Sequence, residues 1–253
     1  MVADVTDTNS RATRSLGAFS LIELLVVIAV TGLLLAIGFP VIRGAIVRSE
    51  AAVSLARCGQ CVVATLAHAQ SNADRFPLAQ LGGPLIDPAG PTAFVELADG
   101  QAMYFSWFGQ TTTWNWVLVA MGEPPSEMWR SPSRRGGEAH PMDADYRLTN
   151  AVMAARSHWR PFGPQESSMW AAQRVAGVAR PSAKALMWES ADALKHRTPA
   201  GVSLATPRPV AFADGHAAEK APSDARPGVF NRFINAAVPL LTTEDGVAGW
   251  DFQ

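Results

Sequence analysis

The chain of 253 residues is poor in cysteine, in net charge and in catalytic motifs, and each shortage removes a class of protein. Two cysteines cannot build a disulfide-stapled fold or a four-cysteine zinc site. Twenty-two acidic residues against 21 basic ones leave a net charge of −1, so a nucleic-acid binder acting through overall positive charge is not expected. A hydrophobic share of 48% leaves enough apolar surface to fold, which excludes an acidic disordered tail. No glycine-rich phosphate loop of the Walker type, dinucleotide fingerprint, His-Glu-x-x-His helix or Gly-x-Ser-x-Gly elbow occurs. On these grounds neither enzyme activity nor a cofactor is expected.

What the chain does have is one long apolar run. From Leu24 to Ile42 there are 19 consecutive residues without a charge, LLVVIAVTGLLLAIGFPVI. As a helix rising about 1.5 Å per residue they cover roughly 28 Å, close to the hydrocarbon thickness of a bilayer. A membrane anchor and a cleaved secretory signal both fit the presence of Arg11 and Arg14 before the run. A secretory apolar region, however, is usually about 7–15 residues long and ends at a small-residue cleavage site. Glu23 at the N-terminal edge suits neither reading, because an unpaired carboxylate at the membrane boundary is unfavourable. Arg43, Arg48 and Arg57 follow the run, so the distribution of positive charge leaves the orientation open.

Helical character continues past the run. Between Arg43 and Asp74 there is no proline, only Gly44 and Gly59 as glycines, and abundant alanine. Leu55, Cys58, Val62, Leu66 and Ala69 recur at spacings of three and four, which predicts one apolar stripe. The pattern predicts a single helix from about Ser20 to about Asn72, with Pro40 as a kink point. Beyond residue 75 lie most of the 18 prolines and 20 glycines, the signature of a loop-rich body. There, Ala93–Leu97 and Met103–Phe108 flank Asp99-Gly100 as a β-hairpin, and Ala185–Trp188 and Val210–Ala213 are short apolar strands. Eight tryptophans, placed mostly at hinges between loops and strands, complete an α+β pattern in which a small antiparallel sheet packs on the C-terminal half of the long helix.

Three groups of residues are candidates for chemistry. Cys58-Gly59-Gln60-Cys61 has the spacing of a redox pair or half a zinc site, but within a helix it reads as two small buried hydrophobes. His196, Asp214 and His216 make the best metal-ligand set, although Asp214-Gly215 is also a common turn dipeptide, and the turn is the expected role. Asp143 and Asp145 offer two oxygen ligands of the kind calcium takes, without further partners nearby in sequence. No metal is therefore expected.

The segment GAFSLIELLVVIAV, Gly17 to Val30, resembles the N-terminal signature of type IV prepilins and type II secretion pseudopilins. In that family a prepilin peptidase removes a short leader before an aromatic residue and methylates the new amino group. A glutamate follows at the fifth mature position. With Phe19 first, Glu23 is fifth and Pro40 falls at the twenty-second place, where the family often carries a kinking proline. The family prefers Gly before the cut, whereas this chain reads Gly17-Ala18-Phe19, so cleavage follows either Ala18, which keeps the Phe/Glu spacing, or Gly17. The resemblance implies that the Glu23 carboxylate pairs with the terminal amine of a neighbouring subunit during assembly.

Further segments resemble one pilin-like branch of planctomycete and verrucomicrobia type. HAQSNADRFP is similar to the exit from its long helix, TWNWVLVAMG to its Trp-containing segment, and MWRSPS with ADYRLTNAVM to its Cys-Pro-Ser and Tyr-x-x-Asn elements, with Ser131 in place of the cysteine. RPSAKALMWESAD resembles its Pro-Ser turn and strand ending on an acid. VAFADGHAAEK, with Asp214, Gly215 and His216, resembles its C-terminal signature. That motif is named for a His nine residues before Asp-Gly, whereas 17 residues separate His196 from Asp214 here.

The resemblance implies a leader over residues 1–18, a pilin-type helix over 19–75 that is transmembrane at about 20–42, and a periplasmic or extracellular α+β head over 76–253. It implies a filament subunit held in the inner membrane, with prepilin peptidase and other pilin or pseudopilin subunits as partners and no nucleic acid. The alternative is an anchored binding or display module that forms no filament. Intact-mass analysis of the membrane fraction is expected to show a chain that begins at Phe19 and carries one methyl group on its terminal nitrogen. A chain beginning at any other residue overturns the assignment of the cut.

Overall fold

Low proline content and abundant alanine carry the first helix far beyond the apolar run. The computed structural model describes residues 20–82, 92–98, 100–134, 144–194 and 202–253. Helix α1 spans Leu21–Ser71, 51 residues, and continues through Pro40, which lacks the N–H for one intrahelical bond. The chain divides into a unit ending at Ile46 and a second unit, Val47–Gln253. In the first, the large apolar side chains from Leu21 to Ile46 are all exposed, and the helix is long and apolar enough to cross a membrane.

The helix ends at Ser71, close to the end expected at about Asn72, because Ala73 and Asp74 take left-handed backbone angles, φ 56° and 63°. The Asp74 amide closes the end by donating to Ala69 O at 2.9 Å. The Asp74 carboxylate then accepts the Ala176 amide at 2.9 Å, and its carbonyl accepts that of Val175. These bonds, with buried Phe76, tie the helix exit to the 3-10 turn Val175–Gly177.

Beyond α1, the described residues form two antiparallel sheets where one was expected. The first consists of β1 (Gln80–Leu81), β2 (Thr92–Glu96) and β3 (Ala102–Ser106), in that order. The β2/β3 pair is the expected hairpin, with Phe94 opposite Tyr104, although Trp107 and Phe108 leave the strand for a 3-10 helix. Helix α2 (Asn115–Ala120) follows. The second sheet is a meander of β4 (Tyr146–Leu148), β5 (Ala185–Glu189), β6 (Arg208–Phe212) and β7 (Ala217–Lys220), with the short helix α3 (Ala191–Leu194) after β5. Every residue of β5 and β6 is buried, as their apolar runs predict. The edge strand β7 ends in exposed Glu219 and Lys220, which discourages further strand pairing.

The second half of α1 packs on this body through Ser54, Cys58, Cys61, Val62, Thr65 and Ala69, all buried. The face is rotated from the expected stripe: Leu55 and Leu66 are only half-buried, and two hydroxyl residues take central places. The hydroxyls are tolerated because they are satisfied. Ser54 Oγ lies 3.0 Å from Tyr146 Oη, and Thr65 Oγ1 donates to Cys61 O at 2.8 Å.

Seven of the eight tryptophans are buried, and Trp107 and Trp114 stand at the ends of elements, directly after β3 and before α2. Trp107 Nε1 donates to Met153 O and Trp114 Nε1 to Tyr146 O, both at 2.9 Å, which ties these short elements to one another. The C-terminus is pinned by a buried ion pair, Lys184 Nζ to Asp251 Oδ2 at 3.0 Å, with Thr243 Oγ1 2.5 Å from both Lys184 Nζ and Asp251 Oδ1. Burial pushes the Lys184 amine below its usual pKa, and the Asp251 carboxylate beside it opposes that effect.

Several buried polar side chains lack such partners among the described residues, Asn150, Trp129 and His158 among them. His158 is fully buried, and neither ring nitrogen has a hydrogen-bond partner among the described residues. Phe108 and Phe233 stack on its ring, and Trp159 and Trp170 meet it edge-on. Burial, helped by the nearby Arg232 cation, pushes its pKa down to about 4. Between that value and about 6.5 the unfolded chain binds a proton that the folded chain refuses, so stability falls as pH drops through this window. The difference corresponds to about 3 kcal/mol. Denaturant melts of the full chain in detergent at pH 7 and pH 4 are expected to show His158→Phe losing less stability than wild type by about that amount. Equal losses in the two proteins would assign the acid sensitivity to other groups.

Candidate functional site

At the start of α1 the Glu23 side chain turns back on its own helix. Glu23 Oε2 accepts the Ser20 backbone N–H at 3.0 Å, and Ser20 O accepts the Leu24 amide at 3.2 Å. This is half of a capping box, with Ser20 and Glu23 at the required Ser-x-x-Glu spacing. That spacing was readable in the sequence and supplies Glu23 with a local partner the apolar run did not suggest. Pro40 lies inside the same helix. Gly17, Ala18 and Phe19 fall outside the described residues.

The Asp-Gly-His segment is the turn between β6 and β7. Phe212 N donates to His216 O and Gly215 N to Phe212 O, each at 2.9 Å, closing a three-residue loop. Gly215 holds φ at 91°, a region that a side chain makes costly. Asp214 and His216 serve one another: His216 Nδ1 lies 2.5 Å from Asp214 Oδ1, which also accepts the His216 amide at 3.2 Å. The His216 ring lies flat on Phe212, with centroids 4.2 Å apart. Burial works to raise the Asp214 carboxyl pKa, but the bonds from the His216 ring and backbone outweigh it and hold the group below its usual value.

This turn rests on α1. A Cβ placed on Gly59 would meet Ala217 Cβ at 3.5 Å, and one on Gly215 would lie 3.9 Å from Val63 Cγ2. The small residue at 59 therefore admits the hairpin against the helix. The element acts as a clasp, shaped by the bonds between Asp214 Oδ1 and the His216 ring and amide.

The remaining candidates are placed as follows. His196 and Asp143 lie outside the described residues. Among those described, no group of three His, Cys, Asp or Glu side chains is arranged to hold a metal ion. Asp145 is buried and committed to the protein: its carboxylate bonds Arg134 at 2.5 Å and accepts the Ser131 amide at 2.9 Å, which leaves it unsuited to calcium. Ser131 bonds Glu189 through its hydroxyl, a buried contact at the end of β5 that the sequence did not reveal.

Cys58 and Cys61 are free and fully buried, with Sγ atoms against Met187 O and Met128 O. Burial raises the pKa of both thiols, and for Cys58 the neighbouring Cys61 and Glu189 add to the effect. Thiols held in that state are poor nucleophiles and poor metal ligands. Their place in the wall of the core agrees with the expected role as small hydrophobes.

No protein-family model matches this chain, and no match is found among curated proteins or solved structures.

The clasp makes a direct prediction. Gly215→Val is expected to destabilise the head by roughly 1–3 kcal/mol through the strained backbone. His216→Ala, which loses one stacked ring and exposed hydrogen bonds, is expected to cost about 1 kcal/mol or less. Thermal melts of wild type are expected to be unchanged by chelator. A chelator-induced drop in Tm that vanishes in His216→Ala would instead make the pair a metal site.

Proposed function

We propose that the chain is a prepilin, cut before Phe19 and N-methylated by a prepilin peptidase, and then built into a type IV pilus-like or type II secretion pseudopilus-like filament. One observation carries this reading: Glu23, five residues into the proposed mature chain, stands in the first turn of a helix whose exposed apolar start is long enough for a bilayer. The same helix ends as part of the core of an α+β head. In this reading the apolar segment holds the subunit in the inner membrane as a single pass and the head lies in the periplasm. A carboxylate at the membrane surface finds compensation in the free amine of an adjacent subunit. Protein-protein contact is then the function, and the head domain sets what the filament surface presents.

The bond from Ser20 N to Glu23 favours a second reading, in which Glu23 only caps its own helix and the anchor displays a monomeric head. Two substitutions separate the readings. Glu23→Gln keeps an acceptor for the Ser20 amide and removes the charge, whereas Glu23→Ala removes both. With a charge-pairing role, both variants are expected to remain in the membrane and to lose at least about tenfold of the subunits recovered in sheared filaments, the loss expected from one unpaired charge of 1.4 kcal/mol or more. Wild-type recovery of Glu23→Gln would leave the side chain with the capping role alone.

A further inference from the structure

The head carries an aromatic side chain that its own fold does not use. Phe162, in the turn Pro161-Phe162-Gly163-Pro164, has a fully exposed ring and a left-handed backbone, φ 58°. Both features are unfavourable for phenylalanine, which loses apolar burial and whose Cβ crowds the following carbonyl oxygen in that region. The turn is nonetheless rigidly specified. Gly163 N donates to Arg160 O at 2.9 Å, and a Cβ at position 163 would lie 2.6 Å from Ser157 O. A strained backbone that holds a large apolar ring in water is the pattern of a recognition element.

The ring forms one side of a groove of about 1020 Å³ whose opposite wall is the strand-like segment through Pro227, Val229 and exposed Phe230. Gln165 ties the two walls together. Its Nε2 donates to Phe230 O at 2.7 Å, and its Oε1 accepts the Arg232 amide at 2.9 Å. The groove is thus built from two cross-linked loops.

Its charges select among ligands. Arg226 pairs with Glu244 at 3.0 Å, and Arg156 and Arg160 share Asp245. Arg232 differs: its guanidinium reaches the Gln165 carbonyl and lies 4.7 Å from the Phe233 ring, but has no carboxylate partner among the described residues. A cation held beside an apolar groove by a carbonyl and an aromatic ring, with its charge unmatched by a carboxylate, calls for one carboxylate beside apolar surface. A polyanion such as nucleic acid would need several cations and would be repelled by Glu244 on the rim.

We propose that this groove binds an extended segment of a partner protein in which an aromatic or aliphatic side chain stands beside a single carboxylate. The apolar side chain packs between Phe162 and Phe230, and the carboxylate pairs with Arg232. The probe is an array of octapeptides with a Leu-Phe pair placed beside Asp, Asn or Lys, overlaid with the full chain in detergent. The Asp set is expected to bind at least tenfold more strongly than the Asn set, with the Lys set weakest. Arg232→Gln is expected to bring the Asp set down to the Asn set. Phe162→Asn, which keeps a residue tolerant of the left-handed backbone, is expected to weaken both by about tenfold without lowering Tm. Three equally bound sets, no bound set, or tighter binding of oligothymidine than of any peptide would each overturn the proposal.

Discussion

The head depends on the close seating of residues 47–71 of α1 against two small sheets. Neither sheet is large enough to enclose a core, and the strands of the first are two to five residues long. The helix supplies the missing wall through small side chains, Ser54, Cys58, Cys61 and Thr65, whose size allows loops and the β6/β7 turn to approach its backbone. A Cβ at 59 would already be in van der Waals contact with Ala217, and one hydroxyl without its acceptor would leave a buried polar group unpaired. Because this wall is continuous with the apolar segment, the element that is fit to hold a membrane is also the element that completes the domain.

Loop-rich proteins lack the regular ladders that satisfy backbone groups, and this head replaces them with tryptophans and polar knots. A tryptophan buries roughly 200 Å² and offers one N–H to a backbone carbonyl, as Trp107 does to Met153 and Trp114 to Tyr146. The knots formed by Arg134, Asp145 and Ser131, and by Lys184, Asp251 and Thr243, hold segments distant in sequence. Buried ion pairs add little net stability in place of apolar packing, but losing one partner is severe, so such knots fix geometry more than they strengthen it. His158 is accommodated differently, a polar ring held by aromatic stacking.

The Asp-Gly-His turn shows how a motif rich in potential ligands can be architectural. Here a carboxylate and an imidazole bond one another over a glycine with positive φ and so shape the turn. Elsewhere on the surface of the head, the Phe162 ring is fully exposed and the Arg232 charge has no carboxylate partner among the described residues.

Much of this was legible before any coordinates. Charge-free length from Leu24 to Ile42 determines a membrane-compatible helix, because the apolar face covers the whole circumference and no tertiary contact is needed to explain it. Apolar runs and turn dipeptides likewise located the β2/β3 hairpin, β5, β6 and the Asp214-Gly215 turn, since these signals are local. The division into two sheets was not legible, nor was the rotation of the α1 face toward Ser54 and Thr65. A serine looks polar until Tyr146, 92 residues away, supplies its partner. The same holds for Asp145 and Ser131, whose roles depend on Arg134 and Glu189 brought in by the fold, and for Phe162, whose exposure no neighbouring residue announces. Periodicity and turn chemistry are properties of adjacent residues and survive in the sequence, whereas satisfaction of a buried polar group and exposure of an apolar one are decided only when distant segments meet.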